Sequence, residues 1–147
     1  MKPIKSIIAS IWVVRILLLL LAASAFFVPV IGEGYSLLAT NTTNIAFSVA
    51  VGIYALYLPA LGTMVALHML LSNINKGNVF VKKNTTYLTL VCAGVFLVGV
   101  ISFFISLVSW VFSLISLAFL FVGLILLVLR NIFNYAVEIK EENDFTI

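Results

Sequence analysis

The stretch YLTLVCAGVFLVGVISFFISLVSWVFSLISLAFLFVGLILLVL, residues 87–129, runs for 43 residues without one Asp, Glu, Lys or Arg. A helix that crosses a bilayer needs about 20 mostly apolar residues, so this stretch holds two spans and a tight turn. The turn is expected near Ser106 to Trp110, with Trp110 at a membrane–water interface. Working outward, Ile16 to Gly32 and Gly34 to Asn75 are also free of charge and hold one span each. The spans then fall at about 11–31, 45–71, 87–107 and 110–130, with a loop at 72–86 and a tail at 131–147. The expected fold class is all-α: one integral membrane domain, built as a four-helix bundle.

Composition agrees with that reading. Of 147 residues, 64% are hydrophobic and 9% charged, and the mean hydropathy is +1.28; soluble domains carry roughly 25% charged residues. The net charge of +3 is too small and too dispersed for a nucleic-acid surface. The basic residues cluster at membrane edges, where anionic lipid headgroups are the expected contact.

Their placement also orients the chain. Lys2, Lys5 and Arg15 precede or enter the first span, Lys76, Lys82 and Lys83 occupy the middle loop, and Arg130 and Lys140 follow the last span. The segment Gly32 to Asn44 has Glu33 but no Lys or Arg, and reads as an outer loop. By the positive-inside rule both termini and the middle loop are cytoplasmic. Arg15 sits about one turn inside the first span and is expected to snorkel its guanidinium back to the interface near Trp12. The small-residue run Ala23-Ser24-Ala25 raises the alternative of a cleavable signal segment, against which the apolar run continues through Ile31.

The interior is chemically quiet. No carboxylate falls in a span, His68 is the only histidine and Cys92 the only cysteine. That inventory supplies no proton-coupling group, no metal set and no nucleophile–base pair, so neither enzyme activity nor a cofactor is expected. Pro59 should kink the second span. Ser48 with Gly52, and Gly62 with Ala66, put small residues four apart for close helix packing. Ser102, Ser106, Ser109, Ser113 and Ser116 form a series that reads first as interhelical hydrogen bonding.

What is distinctive lies at the cytoplasmic side. The loop offers Lys76, Gly77, Phe80, Lys82 and Lys83, and the tail offers Phe133, Glu141, Glu142, Asp144 and Phe145. These ten form the candidate partner surface. The same charges equally allow the basic loop to pair with the acidic tail of its own chain.

Asn75-Lys76-Gly77-Asn78-Val79-Phe80, followed by Asn84 and Leu88, resembles the signature after the second span of the bacterial domain-of-unknown-function 2975 family. The closing runs Leu129-Arg130-Asn131-Ile132-Phe133 and Glu141-Glu142-Asn143-Asp144-Phe145-Thr146-Ile147 resemble that family's carboxyl end. Here Asn78-Val79 stands where a proline often precedes the phenylalanine. The resemblance implies a small four-span protein of the bacterial inner membrane. It also implies an association with small Cro-type helix-turn-helix regulators, which members of this family are often encoded beside.

The function expected is therefore a non-catalytic regulatory or interaction protein that sequesters such a regulator at the membrane. The alternatives are a transport or immunity protein acting on a small molecule or peptide, or assembly as a homo-oligomer or accessory subunit of a larger membrane complex.

Overall fold

The computed structural model describes residues 5–39 and 43–145, with side chains described over 6–37 and 46–143. The described residues form α1 (Lys5–Ser24), a 3-10 turn (Ala25–Phe27), α2 (Val28–Ala39), α3 (Thr43–Asn75), α4 (Lys82–Ser106) and α5 (Val111–Phe145). With α1 and α2 counted as one interrupted rod, four helices are long and apolar enough to cross a membrane. The chain is a multi-pass membrane protein of all-α class.

Each rod runs antiparallel to the next. Gly32 meets Ala46 and Ala50, whereas Ser24 bonds Tyr57. Gly52 meets Ile105, whereas Asn73 bonds Asn84. Ser116 bonds Gly99, whereas Arg130 bonds Thr89. The start of α1, the α3–α4 loop and the end of α5 therefore share one end of the bundle. The helices lean chiefly on chain neighbours, with α3 and α4 central. α4 is the most enclosed, its membrane window 44% buried against 17% or less in the others.

The packing is the reverse of a soluble bundle. Buried positions carry small or β-branched residues such as Val14, Val49, Ala66, Val91, Val98 and Ser116, while Leu19, Phe26, Leu58 and Phe121 face outward. Lipid tails are as apolar as leucine, so association rests on close backbone approach rather than on hiding large side chains. Gly94 shows the consequence: a Cβ there would collide with the Thr63 hydroxyl and crowd the Pro59 carbonyl. Gly52 serves likewise against Ile105, but Gly62 faces open space. The small-residue pattern therefore marks a contact at Gly52 and none at Gly62.

Two prolines each leave one backbone carbonyl without its helical donor inside the apolar zone. Pro29 has no N–H for the carbonyl of Ala25. The helix tightens to 3-10 over Ala25–Phe27, and the Tyr54 hydroxyl donates to that carbonyl at 3.1 Å. Pro59 likewise has no N–H for the carbonyl of Ala55; the Thr63 hydroxyl bonds a different carbonyl, that of Pro59 itself, at 2.7 Å.

The structure departs from the sequence reading in two places, the outer segment and the serine series. Gly32 and Glu33 belong to α2 rather than to a loop, because helix resumes after Pro29 and continues to Ala39. As the apolar stripe of Leu129, Ile132, Phe133, Ala136 and Val137 predicts, α5 continues unbroken through Arg130 to Phe145, with Val137 fully buried. The serine series divides. Ser109 donates to the Tyr35 hydroxyl and Ser116 to the Gly99 carbonyl, both across helices. Ser106 and Ser113 turn back to carbonyls three residues earlier. Arg15 places its guanidinium 5.3 Å from the centre of the Trp12 ring, one turn nearer the amino end.

Overpacking at the tightest crossing is costly where open space is not. Gly94→Val is expected to destabilise the detergent-solubilised protein by about 1–3 kcal/mol, while Gly62→Ala stays within about 0.5 kcal/mol. Thermal unfolding followed by circular dichroism measures both.

Candidate functional site

The site grows from the way α3 stops. The Asn78 N–H bonds the Asn73 carbonyl at 3.3 Å and the Gly77 N–H bonds the Ile74 carbonyl at 2.9 Å. This six-to-one and five-to-two pair is a Schellman cap, which needs a residue in the left-handed region after the helix. Gly77 supplies it at φ +87°.

Asn84, on the first turn of α4, then holds the loop in place. It is wholly buried. Its side-chain amide donates to the carbonyls of Asn78 and Val79, each at 2.7 Å, and its oxygen accepts from the Asn73 amide at 2.7 Å. One side chain thus satisfies two loop carbonyls and ties the end of α3 to the start of α4. A buried amide with both donors and its acceptor engaged specifies a single loop geometry.

On that frame the basic loop meets the acidic end of α5. Lys82 pairs with Glu141 at 2.8 Å. The Phe80 ring stacks on Phe133 with centroids 5.7 Å apart and planes 24° from parallel. The Lys140 ammonium donates to the Phe80 carbonyl at 3.5 Å. The Glu141 carboxylate, by its hydrogen bond and its charge, raises the Lys82 pKa above the ordinary lysine value, and Glu138 adds to the field. A raised lysine stabilises the docked tail fully at neutral pH and ceases to do so as pH climbs through the raised value.

These contacts are nonetheless light. Lys82 is 76% and Glu141 38% exposed along their side chains, and an exposed ion pair is screened by salt. Phe80 keeps 44% of its surface exposed. The tail is docked on the loop as a latch, with Val137 as its buried anchor.

Of the expected surface residues, Lys82, Glu141, Phe80 and Phe133 come together in this latch, and Gly77 shapes the loop. Lys76 and Lys83 lie apart from it, on the α3 side, Lys83 with its ammonium 6.0 Å from the Tyr87 ring centre. Glu142 is exposed on the tail. Asp144 and Phe145 continue α5, and their side chains lie outside the described residues. Sequence reading left out Asn73, Asn84 and Lys140 as site residues. Asn84 stood in the family signature, but nothing in one sequence pairs it with Asn73.

Between α4 and α5, behind the latch, Thr85, Thr86, Thr89 and Arg130 line a polar groove, with the Arg130 Nε donating to the Thr89 hydroxyl at 3.0 Å. Among the described residues no group of three or more His, Cys, Asp or Glu side chains is arranged to hold a metal. Toward the membrane interior, α1, α3, α4 and α5 enclose an apolar cleft of 440 Å³ lined by Leu17, Leu20, Leu21, Met64, Val98 and Phe119, among others.

A protein-family profile described as "Protein of unknown function (DUF2975)" matches residues 31–147, which covers the loop, the latch and three of the four rods. No curated protein and no solved structure matches the chain.

Removing the amide of Asn84 should cost more than removing the latch. Asn84→Ala strands two carbonyls and the Asn73 amide, and is expected to destabilise by about 1–3 kcal/mol. Glu141→Lys should leave the melting temperature nearly unchanged but make the tail an early site of limited proteolysis. In the unsubstituted protein, tail cleavage should accelerate with added salt.

Proposed function

Because the chain belongs to the DUF2975 family, we propose that it is a non-catalytic regulatory protein of the bacterial inner membrane whose latch is the docking surface for a cytosolic partner. The observation that carries this reading is the latch itself. A basic, aromatic loop is covered by an acidic, aromatic tail through exposed contacts that a better-fitting partner can replace. The tail acts as an internal stand-in for that partner. Binding then exchanges one set of charge and ring contacts for another, at little cost to the bundle, which Asn84 holds separately.

Orientation follows from charge. The described lysines and arginines lie at the latch end or within the flanking turns, and none lies on the opposite turn from Leu107 to Trp110. The positive-inside rule puts the latch end in the cytoplasm, with both termini. The partner class that fits is a small helix-turn-helix regulator of the Cro type, in keeping with the family resemblance. Held at the membrane, it is kept from its operator.

The transport reading finds less support. It draws on the Pro59 kink and the serine series, and within that series Ser106 and Ser113 satisfy their hydroxyls on their own helices or turn.

Two measurements test the proposal. A fluorescent protein fused after Ile147 should fluoresce, and alkaline phosphatase fused there should stay inactive; the opposite pair refutes the orientation. Co-purification with a co-expressed regulator of this class should succeed from gently solubilised membranes of the full chain and be lost on truncation after Asn134. If the full chain retains no regulator, sequestration is wrong.

A further inference from the structure

Lys82 and Lys83 are neighbours in sequence but serve different sides of α4. Lys82 turns to Glu141 of α5. Lys83, together with Lys76, lines a second concavity on the α3 side. This pocket has a volume of 240 Å³, and its wall includes His68, Ser72, Tyr87 and Met69. No carboxylate belongs to the wall, and neither lysine forms an ion pair with a described residue. The positive end of the α4 helix dipole adds to the field of the two ammonium groups.

A second observation points the same way. His68 Nδ1 is buried and has no hydrogen-bond partner. Buried polar atoms are nearly always paired; the Thr85 and Ser102 hydroxyls are orphaned too, but only His68 shares a pocket wall with two lysines, where a small shift of the ring would let an Nδ1–H donate to an anionic oxygen. The pocket follows the last turns of α3 from His68 to Lys76, a rise of about 12 Å, from the last apolar turns to the cap. Met69, 46% exposed, supplies an apolar surface beside it.

We propose that this pocket binds a phosphate group, with Lys76 and Lys83 as the charge partners and His68 as a hydrogen-bond donor. Its position at the end of a span makes an anionic phospholipid headgroup the natural source, and a soluble phosphate monoester carries the same chemistry. The site lies across α4 from the latch and does not depend on what the latch holds.

The test uses the full chain in mild detergent, titrated with dioleoylphosphatidylglycerol, dioleoylphosphatidylcholine or glycerol 3-phosphate and followed by native mass spectrometry. Phosphatidylglycerol should bind in preference to phosphatidylcholine. Replacing both lysines (Lys76→Gln with Lys83→Gln) should weaken it about tenfold or more, and His68→Phe should weaken it less. Lys82→Gln should bind as the unsubstituted chain does. Arginine at both positions (Lys76→Arg with Lys83→Arg) should retain binding, which separates lost charge from lost folding. Glycerol 3-phosphate binding that displaces the lipid, and that the double glutamine variant loses, identifies a soluble ligand at the same site. Equal binding of both lipids, undiminished binding by the double glutamine variant, or loss of binding in the arginine pair overturns the proposal.

Discussion

The buried amide of Asn84 is the contact on which the cytoplasmic-side architecture depends. A fully buried side chain that makes two hydrogen bonds to one short loop and a third to the end of α3 leaves that loop no second conformation of comparable energy. It fixes where α4 starts relative to where α3 stops. That in turn decides which direction Phe80, Lys82 and Lys83 face. The Schellman cap at Gly77 delivers the loop carbonyls to Asn84, and Asn84 removes the cost of burying them.

Hydroxyl groups also take up backbone carbonyls elsewhere in the bundle. In lipid there is no water to take a freed carbonyl, and the carbonyl that Pro29 frees receives the Tyr54 hydroxyl. Thr63 adds a second donor to the carbonyl of Pro59, one turn before it. These hydroxyls also cross or brace helix contacts, since Tyr54 reaches from α3 to the 3-10 turn and Thr63 stands against Gly94. Interior polarity in this protein is structural where its partners are found; of the three described side chains with an unpaired buried atom, Thr85, Ser102 and His68, only His68 lines the pocket that holds Lys76 and Lys83.

Rigidity and looseness are therefore separated by a few residues. The α3–α4 reversal is fastened by buried neutral hydrogen bonds, which salt does not weaken. The tail is held over it by an exposed ion pair and one stacked ring pair, which salt and competitors do weaken. Such a division lets a surface open without disturbing the scaffold that presents it. Adjacent lysines accordingly have different surroundings: Lys82 is paired with Glu141, while Lys83 lines the pocket on the other side of α4.

Much of this was legible in the chain itself. Uncharged stretches of spanning length determine four apolar helices, because no other backbone arrangement satisfies itself in lipid without closing a barrel. The segregation of lysine and arginine pointed to one end as distinctive, and the opposite charges of loop and tail made their pairing conceivable. Tertiary structure alone decided that they pair, that Lys82 and not Lys83 takes Glu141, and that Gly52 packs while Gly62 does not. It alone showed that Val137, on the part of α5 past Arg130, is fully buried. The physical reason is that composition and period report what a residue tolerates along its own helix. Which neighbour it meets depends on the rotation and depth of a second helix, which is why Asn84 could be read in a signature while its pairing with Asn73 could not.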